Sequence, residues 1–374
     1  MRTSLVVVLA LCSVLVVSTL SMGLGSPSYA ERGDSDEDET PLTLAVFGDW
    51  PYSLDLVAAA PLLLTSINSD PDVRLVLHVG DIHSGSMPCT GAGLLPLPAG
   101  SNPAWNLAIF ALFEHFREPV VYTPGDNEWT DCHKTKQFSS GAPLKELASV
   151  RQLFFPRPGY TLGAEKKRVL SQAAVHDPAH PTDAQFVENV MWKDGQVIFV
   201  TLNVPGSNND GLPWTAPFTD EAARTQEVAQ RNAANLRWLE SAFAWANRES
   251  ARGVVIGLQA DMWDPAALVA GGDGLDGYTE FVGRLAALTL HFGQPVLLIN
   301  GDSHLFEADH PLADPTSATG LIHHTPPVPN LTRITVQGST NKPREWLRLT
   351  IDRHTPGLFR WRNVVYCDDT TCPK

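Results

Sequence analysis

Four apolar runs in this chain finish on the same pair, glycine then aspartate: Val46-Phe-Gly-Asp49, His78-Val-Gly-Asp81, Tyr122-Thr-Pro-Gly-Asp-Asn-Glu-Trp129 and Ile299-Asn-Gly-Asp302. One Gly-Asp-Asn is an ordinary turn, since glycine supplies unusual backbone angles and Asp and Asn bond their own backbone. Recurrence at four strand ends points further, because hard cations are held by oxygen ligands gathered from several elements. The last unit continues into Ser303 and His304, and the run Gly253 to Leu258 opens into Gln259-Ala-Asp261. Candidate ligands are therefore Asp49, Asp81, Asp126, Asp302 and His304, with Asn127 and Gln259 as neutral neighbours. Two cations a few ångströms apart can bind a phosphate, polarise it and generate a hydroxide for in-line attack.

The elements that must position these residues follow from hydrophobic spacing. Strands are expected over Leu42 to Phe47, Val73 to Val79, Pro119 to Tyr122, Val197 to Leu202, Gly253 to Leu258 and Pro295 to Ile299. Helices are expected over Leu54 to Ile67, Trp105 to Phe116, Lys145 to Phe155 and Glu221 to Asn247. The stretch His176 to Asp194 mixes Pro, His and Asp and reads as irregular. Near the end, Thr332 to Gln337, Trp346 to Ile351 and Leu358 to Tyr366 read as antiparallel strands. Strand and helix alternate, which predicts an α/β fold with a mostly parallel sheet whose ligands collect beyond the carboxyl ends of its strands.

The chain has 374 residues, with 27 basic against 41 acidic and a net charge of −14. That balance argues against a nucleic-acid backbone or an anionic membrane as partner. Residues 1–30 read as a secretory signal: Arg2, an apolar stretch from Leu5 to Leu20, and a small-x-small site at Ser28-Tyr29-Ala30. A stable membrane anchor is the competing reading, and the short apolar core argues against it. Residues 31–40 form an acidic linker, 41–366 the folded domain and 367–374 a tail. Four cysteines follow the signal, Cys89, Cys132, Cys367 and Cys372, an even number that points to two disulfides in an exported protein. Three pairings are possible; Cys89 with Cys132 and Cys367 with Cys372 is the favoured one, and no two cysteines are spaced like a zinc knuckle.

The order and spacing of five blocks resemble the calcineurin-like metallophosphoesterase family: Gly-Asp49, Gly-Asp81, Gly-Asp-Asn-Glu128, Leu-Gln259 and Gly-Asp-Ser-His304, from about Leu42 to His304. The resemblance implies a layered β-sandwich with flanking helices. It also implies that Asp49, Asp81 and His304 hold one metal, that Asp81 bridges to a second, and that a bridging hydroxide cleaves a small phosphorylated substrate, monoester or diester. The blocks also depart from the family. Pro51 stands where an extra ligand is expected, with His83 as a possible replacement or acid. Asp126 replaces an Asn ligand, Asn127 a His that contacts phosphate, Gln259 a strand-end His, and Asp302 the first His of the final block.

Exchange of imidazole for carboxylate and amide suits Mg²⁺, Mn²⁺, Ca²⁺ or Fe²⁺ better than zinc. Asn127 would orient the phosphate but cannot serve as a general acid, which favours a substrate with a good leaving group. The reading from another class is an exported binding protein that keeps the fold with a degenerate metal site. A serine hydrolase is disfavoured, as no Gly-x-Ser-x-Gly elbow is present. Glu128 and Asp131 read as solvated or loop-bonded, and His133, His176, His180, His323 and His324 as exposed loop residues. Trp50, Trp129, Trp214 and Trp263 read as packing or cleft walls.

Overall fold

In the computed structural model, residues 41–89, 105–368 and 372 are described. The signal and acidic linker lie outside them. The strands are, in chain order, β1 (Leu42–Phe47), β2 (Val73–His78), β3 (Val120–Tyr122), β4 (Leu170–Ser171), β5 (Val190–Asp194), β6 (Val197–Thr201), β7 (Gly253–Gly257), β8 (Val296–Asn300), β9 (Glu307–Asp309), β10 (Leu331–Thr335), β11 (Arg344–Ile351) and β12 (Phe359–Cys367). They form two mixed sheets, ordered β12-β11-β1-β2-β3 and β4-β5-β6-β7-β8-β10-β9. Within the first, β1, β2 and β3 run parallel; within the second, β6, β7, β8 and β10 do.

Side chains alternate across a strand, so a strand that is apolar throughout must be covered on both faces. Along β1, Leu44 and Val46 enter one core while Ala45 and Phe47 enter another. Along β8, Leu297 and Ile299 join Leu44 and Val46, whereas Val296 and Leu298 face the opposite way. The shared core, with Leu75, Phe199, Val255 and Leu349, lies between the sheets. The outer face of the first sheet is covered by the helices Ala60–Asn68, Trp105–Phe113 and Pro143–Phe154. The outer face of the second is covered by Glu221–Arg248 and Thr279–Phe292. The result is a four-layer α/β sandwich, with sheets inside and helices outside.

Several expectations change. The layered sandwich with flanking helices is observed, while the single mostly parallel sheet read from the alternation of strands and helices is replaced by two sheets, because each leaves an apolar face that only the other can cover. The strand at 331–335 pairs parallel with β8 and antiparallel only with the short β9. The stretch expected to be irregular contains β5, which pairs with β6 through the two-residue turn Gly195-Gln196, with Gly195 at φ 54°. A glycine at the first central position of a two-residue turn is a hairpin signal in its own right. The helix expected from Leu54 breaks at Ala59, before Pro61, into Leu54–Ala58 and Ala60–Asn68. Among the described residues no helix is long and apolar enough to cross a membrane.

Candidate metal centre

Parallel strands in both sheets end on the same side, and this brings the Gly-Asp units together. Backbone hydrogen bonds tie the strand ends: Asp49 N–H to Gly80 O at 2.9 Å, Trp50 N–H to Asp81 O at 2.9 Å and Gly301 N–H to Gln259 O at 3.0 Å. Between the sheets, Thr123 Oγ1 donates to Leu202 O at 3.1 Å. The glycines are explained by crowding. A Cβ on Gly125 would run into the Asp81 carboxylate and backbone, and one on Gly301 would meet Asp49 Oδ2 at 2.5 Å. Each aspartate thus packs where only a glycine leaves room.

Asp49, Asp81 and His304 each offer one ligand atom, and these atoms lie within 4.8 Å of one another. Among the described residues this is the one group of three or more His, Cys, Asp or Glu placed to hold a cation. His304 Nε2 is 3.4 Å from Asp49 Oδ1. Asp49, Asp81, Asp302 and His304 all have positive φ, at 48°, 61°, 76° and 66°. Left-handed backbone outside glycine is uncommon and collects at functional sites.

The position opposite Pro51, with His83 as possible replacement, is taken instead by Tyr52. Its hydroxyl lies 2.9 Å from Asp49 Oδ1, 2.9 Å from Asp81 Oδ2 and 3.2 Å from His304 Nε2. His83 is buried outside the trio, with Nδ1 at 3.2 Å from Ser84 O. The Asp49-x-x-Tyr52 spacing was the available signal. His78 is a second residue the motifs did not single out. Its Nδ1 accepts from Gly80 N–H at 3.2 Å, which leaves the proton on Nε2 to bond Trp50 O at 3.0 Å. Burial lowers its pKa to about 4, so it is a neutral brace between two site loops.

The second group is built differently. Gln259 Nε2 donates to Asp302 Oδ1 at 3.1 Å and Asp126 Oδ1 at 3.3 Å, and its Oε1 accepts from Gly206 N–H. Asn127 donates to Asp81 through its backbone N–H, 3.2 Å to Oδ1, and through Nδ2, 2.7 Å to Oδ2. Its own Oδ1 accepts from Gln137 at 3.0 Å. Asn127 is therefore engaged in positioning Asp81. Burial raises Asp81 and Asp302 well above the ordinary carboxylate range, in each case reinforced by Asp126, and lifts Asp126 to about 6 with Asp131 adding to the shift. Burial also raises Tyr52, with Asp49 next. Burial pulls His304 down most strongly, but the Asp49 hydrogen bond and charge, with the charges of Asp126 and Asp264, together raise it. Acids crowded in this way favour any cation that enters.

Glu128 and Asp131, expected as solvated or loop-bonded, are both buried. Glu128 accepts from Ile82 N–H at 3.0 Å and Tyr122 hydroxyl at 2.8 Å, joining the ends of β2 and β3. Asp131 pairs with Lys134 and Lys136, each at 2.8 Å. His133 and His323 are also buried, not exposed; His133 bonds Thr215 and His323 bonds Met262 O at 2.8 Å. Trp50, Trp129, Trp214 and Trp263 are buried packing residues. Cys89 is bonded to Cys132, with χ3 −89° and Cα atoms 5.7 Å apart, and Cys367 is bonded to Cys372. Beside Asp126 and Asp302 a cavity of about 250 Å³ is lined also by Asp261, Asp273, Lys136 and Ser207.

No family model matches this chain, and no curated protein matches it. Among solved structures it is similar to GAP50, described as the anchor in the inner membrane complex of Plasmodium. Identity is 11% over 88% of this chain and 85% of that one, with a TM-score of 0.45. At that identity and score the likeness assigns this chain neither a ligand nor a partner.

Proposed function

We propose that this protein is a metal-dependent phosphoesterase of the calcineurin-like type, acting outside the cytoplasm. The observation that carries the reading is the trio of buried Asp49 and Asp81 with half-buried His304, set on left-handed backbone at the ends of parallel strands from both sheets. Two carboxylates and an imidazole fit a divalent cation. Such a cation, when bound, polarises a phosphoryl oxygen and acidifies water.

The chain's own residues do the rest. Tyr52 and Asn127 fix the carboxylate of Asp81, and Glu128 fixes the backbone beside it. The adjoining cavity carries Asp126, Asp261, Asp273 and Asp302. Those carboxylates repel a phosphate, so a small phosphorylated substrate is accepted there only with a cation at the trio. Lys136 is the basic side chain lining the cavity and offers the substrate a single positive contact. Two disulfides support an oxidising compartment.

A second reading, a non-catalytic exported binding protein, is favoured by the amides of Gln259 and Asn127, which bond carboxylates where the family places imidazole. The test strips the protein of metal and offers Mg²⁺, Mn²⁺, Ca²⁺, Zn²⁺ or Fe²⁺ in turn, with a chromogenic phosphate monoester and a diester. Hydrolysis that depends on the added ion is expected. Folded protein that hydrolyses neither ester with any ion would assign the binding role.

A further inference from the structure

Protein donors reach the carboxylates in both halves of the acidic cluster, and the halves differ in the lone pairs left for an ion: beside Asp49 and Asp81 stand the Tyr52 hydroxyl oxygen and the His304 imidazole. Around Asp126 and Asp302 every carboxylate oxygen has a protein donor. Gln259 Nε2 serves Oδ1 of both, Ser207 Oγ donates to Asp126 Oδ2 at 2.7 Å, and Asp261 N–H donates to Asp302 Oδ2 at 3.0 Å. The orientation of the Gln259 amide is fixed by chemistry. A backbone N–H can only donate, so the side-chain oxygen must face Gly206, and the NH₂ group must face the carboxylates. A group with two N–H bonds directed at two carboxylates fills the place of a cation and offers it no lone pair.

Asp81 is held in place at both oxygens. Both of its oxygens receive donors from Asn127, whose Nδ2 faces an acceptor-only group. Asp81 Oδ2 also lies 2.9 Å from the Tyr52 hydroxyl, on the side where Asp49 and His304 stand. The trio keeps its imidazole and two carboxylates within reach of one ion.

We propose that the centre takes one divalent cation, at Asp49, Asp81 and His304, and that Gln259 acts as an internal substitute for the second. The inference rests on the trio being a metal site, as the proposed function holds. It differs from that reading in making a two-metal mechanism unavailable to the wild-type chain.

The test is the binding stoichiometry of Mn²⁺, measured on the purified, metal-stripped protein by equilibrium dialysis with elemental analysis. Wild type is expected to saturate at about one ion per chain, and Gln259→His, which restores a lone pair at that position, at about two. Wild type that saturates at two ions, or that binds none, overturns the proposal. A second ion absent from a folded Gln259→His protein overturns the role given to Gln259. Asp302→Asn provides an independent check and is expected to leave the first affinity within about threefold; a loss of tenfold or more would make Asp302 a ligand and overturn the one-ion centre. Turnover does not enter this measurement. One bound ion without hydrolysis of any ester would leave the inference standing and remove the phosphoesterase reading.

Discussion

The hydroxyl of Tyr52 lies 2.9 Å from Asp81 Oδ2 and an equal distance from Asp49 Oδ1, between the two carboxylates of the trio. Tyr52 therefore sets the separation of these groups and adds an oxygen to their donor set. Tyr52→Phe keeps the ring and removes that oxygen. Metal affinity is expected to fall by about 10–100-fold, as for other residues that orient metal ligands, with little change in thermal stability. Calorimetric titration of wild type and variant with Mn²⁺ checks this; equal affinities would place Tyr52 outside the centre.

Gly125 is required because a Cβ would strike Asp81. Gly125→Ala is expected to displace Asp81, abolish metal binding and destabilise the fold by about 1–3 kcal/mol, the usual range for an overpacked core. Thermal melts together with metal titration separate the two effects. A variant that binds metal as wild type does would show that Asp81 is not confined by this contact.

Much of this arrangement was legible because strand ends in α/β folds are where ligands gather and glycine marks where side chains crowd. Asp49, Asp81, Asp126, Gln259 and Asp302 could be placed at one edge from spacing alone. Tyr52 was signalled only by its three-residue spacing from Asp49, and its approach to the carboxylates depends on how the chain turns there. Hydrogen-bond roles were equally hidden. Gln259 stands in sequence where the family places a metal-binding His, and only the fixed donor at Gly206 shows that its NH₂ group faces the carboxylates. Burial of Asp131 and His133 was missed because it comes from packing of the 130–141 segment against the site, which no local pattern records. The division of the strands into two sheets was legible only through the family resemblance, since hydrophobic runs show that strands are covered but not by what.

Asp210 is buried near the site, 2.9 Å from Trp214 Nε1, and burial with the neighbouring Glu227 carboxylate raises its pKa to about 8. A carboxyl with a raised folded pKa contributes stability that is fully present below its unfolded pKa of about 4 and is lost as pH rises through about 8. Asp210→Asn, a neutral mimic, lacks this loss. Relative to wild type the variant should gain stability steadily from about pH 4 to pH 8, by a total on the order of a few kcal/mol, and then level off. Denaturant melts across that range test it; a difference independent of pH would show that Asp210 ionises normally.

The disulfide between Cys89 and Cys132 closes a loop with a sequence separation of 43 and ties the segment after Asp81 to the segment after Asp126. Chain entropy gives a stabilisation of about 4 kcal/mol for a loop of this length. The double exchange Cys89→Ala, Cys132→Ala should lose roughly that much and loosen metal binding, because Asn127 and Asp131 share the tethered segment. Denaturant melts and a Mn²⁺ titration of the same preparation check both parts, and metal affinity equal to wild type would separate the disulfide from the centre.

The central claim is that Asp81 holds the cation on which ester hydrolysis depends. The direct measurement is the hydrolysis rate of a chromogenic phosphate ester by wild type and Asp81→Ala, each titrated with the ion that best supports activity, with circular dichroism to establish that both are folded. Wild type is expected to show saturable, ion-dependent turnover and Asp81→Ala only background at every ion concentration. Turnover by folded Asp81→Ala at the wild-type rate would contradict the account.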